Sequence, residues 1–260
     1  DVVYNHWGPT GNYIGQFGPY LRTESTVWGT GPNLDGPASK EVRAWIIDAA
    51  LRWFADFHID ALRLDATHAL VDTSSKHLLA ELAERTATLA ATLGRPLSLV
   101  AEDDRNDPRL IASVSDGGYG LTALWADDMH HAIHAKLTGE RQGYYVDFGS
   151  IATLAKALRG VFVHDGCFST FREQFWGAPL PPSTAADTFV VFSANHDQIG
   201  NRAAGDRPSQ SLDFNQLAIA AALVLMTGFT PLVFMGEEWG ATTPFPYFTD
   251  HTDPEVGDAT

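Results

Sequence analysis

Cysteine is nearly absent from this sequence. Cys167 stands alone among 260 residues, so no intrachain disulfide can form. A lone cysteine is expected to be a small buried or semi-buried side chain in a reducing compartment. Basic residues are also scarce: 17 Lys and Arg against 32 Asp and Glu leave a net charge of −15. Nucleic acids and anionic membrane surfaces are bound by clustered positive charge, so both partners are disfavoured. Long apolar runs are missing. The longest, Leu217 to Met226, is about half of what a bilayer span needs. No secretory leader pattern opens the chain, and a cytoplasmic location is expected. No internal repeat or low-complexity segment stands out. No glycine-rich phosphate loop follows the first strand, as a dinucleotide site would require.

What is present is a regular alternation. The length suffices for one large domain with a full core. Asp1 to Val3 reads as the tail of a strand. Ser39 can cap a helix with Val42, Trp45, Ile46, Ala49, Trp53 and Phe57 on one face. Ile59 to Leu64 reads as a strand. A helix from about Ser75 to Leu93 follows, with Leu78, Leu82, Leu89 and Leu93 inward and Gly94 and Pro96 stopping it. Strands are expected at Leu97 to Ala101, Tyr119 to Trp125, Phe189 to Ser193 and Leu232 to Met235. Helices are expected at Ile151 to Leu158 and from the capping Asp213 through Met226. Strand-then-helix repetition implies an α/β fold of parallel strands with crossover helices. The segment from His6 to Ala38 lacks helical periodicity and is rich in Gly, Pro and aromatics. Ordered loops of this kind usually shape a binding site.

Four short stretches carry the chemistry: Asp1-Val2-Val3-Tyr4-Asn5-His6, Asp60-Ala61-Leu62-Arg63-Leu64-Asp65, Leu99-Val100-Ala101-Glu102 and Phe192-Ser193-Ala194-Asn195-His196-Asp197. Each is an apolar strand ending in ionisable residues. In a (β/α)8 barrel the strand C-termini form the catalytic face. Arg63 and Asp65, two apart on a strand, point the same way, and the guanidinium is expected to keep Asp65 ionised. Glu102 has an apolar wall behind it and another carboxylate near, which favours its protonated form. A carboxylate nucleophile beside a carboxylic acid suits retaining glycoside hydrolysis. Asp197 adds a third carboxylate, and His6 and His196 can bond sugar hydroxyls. Singly, each of these residues reads as readily as a turn cap, an ion pair or a packed histidine; the ordered set is what points to catalysis.

These four stretches resemble the conserved regions of the alpha-amylase family of glycoside hydrolases. The resemblance implies that Asp65 is the nucleophile, Glu102 the general acid/base and Asp197 the transition-state-stabilising third acid. It makes Asp1, His6, Arg63 and His196 supporting residues. Where many amylases carry Lys-His after the nucleophile, this chain has His68 and Ala69. Five loops narrow the resemblance: residues 27–37, 101–109, 125–131, 137–145 and 196–202. They are similar to family members that hydrolyse the α-1,4 bond beside a terminal trehalose. The substrate then implied is maltooligosyl trehalose or a related α-glucan. His68, Asp127, Asp128, His130, His131, Gln198 and Asn201 are the further substrate-binding candidates. Trp28, Trp125, Tyr144 and Tyr145 are candidates for stacking on sugar rings, with packing an equal reading for each. The cluster from Asp127 to His131 could in principle ligate a divalent ion; sugar hydroxyls suit the same groups better. Asn5 matches one ligand of an amylase-type calcium site, but no partner set is readable. No cofactor or metal is expected.

About six strands are readable, against the eight of a complete barrel. The expected fold is therefore a (β/α)8 TIM barrel running from the end of strand 3 to strand 8. Residues 1–260 would form a partial catalytic domain with a loop-rich insertion at about 7–38, without the flanking domains of a parent. Open barrel edges are a liability, so this chain alone is expected to turn over little. Two rival functions stay open: a glycogen-branching enzyme or other α-glucan transferase, and a non-catalytic glucan-binding barrel.

Overall fold

The computed structural model describes residues 1–8, 11–26 and 28–247. Val27, in the first of the five loops, and the Pro- and Asp-rich end of the chain past Tyr247 lie outside the described residues. The chain divides into two compact units, Asp1–Trp125 and Ala126–Thr260.

In the first unit, Val2 bridges Leu64 in parallel. Its N–H donates to the Arg63 carbonyl at 3.0 Å, and the Asp65 N–H donates to the Val2 carbonyl at 3.1 Å. The aromatic, glycine-rich segment that follows contains a hairpin, β1 (Leu21–Thr26) and β2 (Gly29–Pro32), whose register shifts between Leu21 and Ser25. Such an irregularity hides strand alternation from a period-2 reading.

Helix α1 spans Ser39–Asp56. Ser39 is its first residue and not its cap: Ala38 takes that position in the left-handed region, with no side-chain bond. The buried face is Val42, Ile46, Ile47, Ala50 and Phe54, whereas Trp45, Trp53 and Phe57 are 45%, 40% and 53% exposed. The expected face was thus rotated. The reason is Arg43, which lies buried on the inner side. Its guanidinium is matched by Asp72 at 2.5 Å and by Glu81 at 2.8 Å, and it donates to the Leu34 and Lys76 carbonyls. A paired charge can occupy a core-facing position and break the apolar stripe. Trp45 is used differently: it stacks on Trp7 at 5.9 Å and meets the edge of Tyr20 at 5.5 Å.

β3 (Ala61–Leu64) leads to α2 (Leu78–Leu93). This helix starts later than Ser75, because Asp72 engages both the Ser74 hydroxyl and the Leu78 N–H in the preceding turn. His77 accepts the Leu79 N–H as its cap, and Gly94 ends it at φ 66°, a conformation that favours glycine. Leu78 and Leu82 are buried, Leu89 is half-buried and Leu93 is exposed. β4 (Ser98–Glu102) and β5 (Ala123–Trp125) complete the set. β5 is shorter than the run from Tyr119, since the N–H groups of Tyr119, Gly120 and Leu121 bond to the carbonyls of Arg109, Ala112 and Leu110. β3, β4 and β5 are parallel neighbours in that order.

The second unit opens with α3 (Asp127–Thr138), a helix where the sequence suggested a loop. α4 (Ile151–Gly160) is capped by Ser150, whose hydroxyl accepts the Thr153 N–H. β6 (Cys167–Ser169) and β7 (Gln174–Trp176) form an antiparallel hairpin that leaves Cys167 exposed, against the expectation of burial. β8 (Phe189–Val191) precedes the short α5 (His196–Gly200), then α6 (Phe214–Leu225), where Asp213 caps as expected and Gln216 returns the bond. β9 (Thr230–Pro231) pairs in parallel with β8, earlier than the expected Leu232–Met235. The Leu232 N–H still reaches the Val191 carbonyl at 2.8 Å. The Glu237 carboxylate then takes the Phe234 N–H and turns the chain away. Among the described residues, no helix is long and apolar enough to cross a membrane.

Candidate active site

The parallel register aligns two acids. Leu64 is opposite Ala101 across β3 and β4, so the next residues, Asp65 and Glu102, leave adjacent strands side by side. Neighbouring strands run about 4.8 Å apart. Arg63 sits between the two carboxylates, almost fully buried. Its Nη1 lies 2.9 Å from Asp65 Oδ1, and its Nη2 lies 2.9 Å from Glu102 Oε2. Arg63 Cζ lies 4.5 Å from the Trp125 ring centroid, a cation–π contact. Asp1 approaches the same Nη1 at 3.6 Å.

Further groups hold each acid. Asn5 is fully buried, and its Nδ2 donates to Asp65 Oδ2 at 2.9 Å and to the Asp65 carbonyl at 2.7 Å. His6 Nδ1 donates to Asn5 Oδ1 at 2.5 Å. Both ends of the Asn5 amide therefore have a protein partner. Glu102 Oε2 accepts the Ala66 N–H at 2.7 Å. Ala66 adopts φ 39°, ψ 55° to present that N–H. A non-glycine residue in this region costs on the order of 1 kcal/mol and is held there by its surroundings. The Thr67 hydroxyl contacts the Glu102 carbonyl at 3.0 Å and Asp103 Oδ2 at 2.8 Å.

Around this pair lie His6, Trp28 and His68. Trp28 is half exposed, its ring 6.2 Å from His6 and 6.1 Å edge-on to His68. His68, Asp103 and Asp104 bring potential ligand atoms within 4.8 Å of one another. Asp103, however, is already matched through both oxygens by Arg105, with Nη2 at 2.5 Å. That guanidinium balances its charge without a metal ion.

Asp197 belongs to the second unit. The Asn195 side chain accepts its N–H at 2.8 Å, and the Gln198 side chain accepts the Asn195 N–H in return. His196 Nε2 lies 3.5 Å from Asp197 Oδ2, and the Tyr247 hydroxyl donates to Asp197 Oδ1 at 2.5 Å. Asp127, Gln198 and Asn201 are half-buried or exposed.

Three of the predicted sugar-binding residues are placed otherwise. Asp128, His130 and His131 are buried in α3. His130 Nδ1 donates to the Ser193 carbonyl at 2.6 Å, so its Nε2 is left to accept the Tyr145 hydroxyl at 2.8 Å. Burial, then the neighbouring His131 and His134, push its pKa well below the usual value and keep the ring neutral. Asp128 Oδ2 accepts the N–H groups of Val163 and His164 at 2.7 and 2.9 Å. Burial opposes its charge, but the His131 and His164 rings, each 3.7 Å from Oδ1, and the backbone N–H of His164 hold its carboxyl well below the usual range. Asp128 and His130 thus spend hydrogen-bonding capacity on backbone groups and on Tyr145. Trp125 and Tyr145 are likewise buried, while Trp28 and Tyr144 keep exposed surface. A cavity of about 590 Å³ in the second unit is lined by Leu217, Val224 and Trp239 and contains none of the three acids.

Sequence reasoning missed the bridge from Arg63 to Glu102, the bonds of Asn5 to Asp65 and the contact of Tyr247 with Asp197. The first was within reach, since equal strand lengths before Asp65 and Glu102 set the register. The other two join distant parts of the chain and leave no periodic signal.

No protein-family model matches the chain. It is 57% identical over its whole length to malto-oligosyltrehalose trehalohydrolase of Mycobacterium tuberculosis (strain CDC 1551 / Oshkosh). It is 44% identical over 98% of its length to the enzyme of that name from Saccharolobus solfataricus. In both cases it spans 45% of the relative. A solved Salmonella typhimurium structure, described as an alpha amylase, superposes on the whole chain with TM-score 0.89 and 38% identity, covering 44% of that protein. A Paenibacillus barengoltzii pullulanase matches 93% of the chain and 37% of its own length at TM-score 0.56 and 18% identity, a likeness of fold alone.

Proposed function

We propose that this chain, a member of the malto-oligosyltrehalose trehalohydrolase family within the alpha-amylase group, is the catalytic part of a retaining glycoside hydrolase. It cleaves the α-1,4-glucosidic bond beside the terminal trehalose of maltooligosyl trehalose, releasing trehalose and a maltodextrin. The observation that carries this reading is the pair of carboxylates at aligned strand ends sharing one guanidinium. Retaining enzymes need a short carboxyl separation, about 5–5.5 Å, and one planar cation contacting both groups favours it.

Asp65 attacks the anomeric carbon as the glycosidic bond breaks, and Glu102 gives its proton to the departing oxygen. Glu102 then takes a proton from water, which displaces Asp65 from the glycosyl intermediate and restores both groups. Asp197 is the third acid, a role that rests on the sequence resemblance. Asp1 and Arg63 orient the pair. His6, His68 and Trp28 have the chemistry and exposure to meet sugar hydroxyls and ring faces, as do Asp127, His196, Gln198 and Asn201 in the second unit. No step calls for a metal or cofactor. The corresponding domain reading makes residues 1–260 a section of a (β/α)8 barrel from the end of strand 3 to strand 8, as part of a longer polypeptide.

A glycogen-branching activity is the second reading. It is not favoured, since the likeness to a branching enzyme of Geobacillus stearothermophilus is 32% identity over 108 residues, 39% of the chain. Incubating the complete natural polypeptide with maltooligosyl trehalose separates the two. Free trehalose as main product supports the hydrolase; new α-1,6 branches without trehalose would overturn it.

A further inference from the structure

The backbone of Asp197 is fixed by the reciprocal cap of Asn195 and Gln198, but that cap does not touch its carboxylate. The carboxylate is met by Tyr247, fifty residues further on, whose hydroxyl donates to Oδ1 at 2.5 Å. An O–H donor on an anion makes a short, charge-assisted bond, about twice as strong as a neutral one. The His196 ring, 3.5 Å away through Nε2, faces the opposite oxygen, Oδ2.

The segment that brings Tyr247 there is seated on two glycines. The Phe245 N–H donates to the Gly205 carbonyl at 2.8 Å, and the Tyr247 N–H to the Gly200 carbonyl at 3.4 Å. A Cβ on Gly200 would fall 2.4 Å from Tyr247 Cε1, and one on Gly205 would fall 2.4 Å from the Pro246 nitrogen. Gly205 also holds φ +58°, where a side chain is strained. Gly200 therefore marks where the tyrosine ring lies flat on α5. Phe245 adds ring contacts to Phe234 and Tyr247, at 5.3 and 6.4 Å.

We infer that Tyr247 is a positioning residue for Asp197: resting on Gly200, it holds one carboxylate oxygen by its hydroxyl and so sets the rotamer in which the third acid meets the sugar. The inference rests on the reading of Asp197 given above. A two-carbon side chain with free χ1 and χ2 samples several rotamers. An anchored one has its orientation set before substrate arrives, and preorganisation of this kind acts on the transition state.

The test is a double-mutant cycle in the complete natural polypeptide, read by trehalose release from maltooligosyl trehalose. Tyr247→Phe keeps the ring on Gly200 and removes only the hydroxyl. It is expected to lower kcat/KM by about 10- to 100-fold, the range for a bond to a charged group, with the loss in kcat and KM within about twofold. In an Asp197→Asn background the same change is expected to cost less than about twofold, since its partner charge is gone. Gly200→Ala, which displaces the ring, is expected to repeat this dependence on Asp197. Equal losses in both backgrounds, or wild-type kcat/KM in Tyr247→Phe, would overturn the inference. Crystal structures of wild type and Tyr247→Phe judge it independently of activity. Asp197 is expected in one rotamer in the first and in more than one in the second; a single unchanged rotamer in both sinks it. A wild-type enzyme that releases no trehalose would instead remove the proposed function and leave the rotamer comparison to decide on Tyr247.

Discussion

Two clusters of ionisable residues, one in each unit, use the same side-chain types to opposite ends. In the first, Asp65 and Glu102 share Arg63 at strand ends and keep part of their surface open. In the second, Asp128, His130, His131 and His164 are buried, with Asp128 clasping the backbone of Val163 and His164. From sequence the stretch Asp127 to His131, which supplies most of the second cluster, looks the richer in chemistry, with two acids and two histidines in five residues. In the structure Asp128 accepts two backbone N–H groups, and His130 bonds the Ser193 carbonyl and the Tyr145 hydroxyl. Density of reactive residue types marks a functional site only when the groups stay accessible; when buried and mutually bonded they are architecture.

That contrast can be broken experimentally, and the largest effect is expected at the open cluster. In the complete natural polypeptide, under the function proposed, Asp65→Ala and Glu102→Gln should each lower kcat for trehalose release by about a thousandfold or more, the scale of a lost acid/base or nucleophile, with little change in melting temperature. Full activity in either variant would remove the catalytic assignment. Arg63→Lys comes next. An ammonium cannot fork between two carboxylates as a guanidinium does, so about a hundredfold loss in kcat/KM is expected, and a loss under threefold would show that the bridge is incidental.

The closed cluster should respond in stability instead. Asp128→Asn leaves one fewer anion for His131 and His164 and weakens the clasp on Val163. A loss of about 3 kcal/mol in denaturant unfolding is expected, while kcat of the folded fraction stays near wild type. Unchanged unfolding with lost activity would return Asp128 to the list of sugar ligands.

Its pH dependence carries the same message. The Asp128 carboxyl is depressed in the fold, so its contribution is in place above about pH 4 and is lost as pH falls through the lower folded value. Burial lowers His164, but Asp128 and Asp147 outweigh it and raise its pKa. Its contribution is therefore complete below about pH 6.5 and fades as pH rises through the folded value. His130, depressed, runs the other way and loses its contribution on acidification below about pH 6.5. Thermal melts of His164→Asn across this range should lose the alkaline decline expected of wild type; identical profiles would refute the pairing. The smallest expected effect is at the edge of the open cluster. Trp28→Ala should reduce kcat/KM by about two- to tenfold, the worth of one aromatic contact, mainly through KM.

Much of the open cluster was legible beforehand because parallel strands convert sequence into position. An apolar run of known length ending in an acid places that acid at a rim, and two such runs in register place two acids together. Helix ends were legible where capping chemistry is local, as at Asp213 and Gly94. The face of α1 was not, because a buried Arg43 and outward Trp45 invert the usual equation of apolar with inside. Nor was α3, where Asp127-Asp128 followed by histidines disguised a helix.

By itself, then, the sequence determined the parallel α/β order, the strand-end acids and the kinship of the chain, since these depend on local pattern and on order along the chain. Tertiary structure decided what each charge meets. It closed Asp128 and His130 into the interior, bridged Asp65 to Glu102 through Arg63, and brought Tyr247 onto Asp197. Burial and hydrogen bonding between distant segments set those outcomes, and neither leaves a trace in residue spacing.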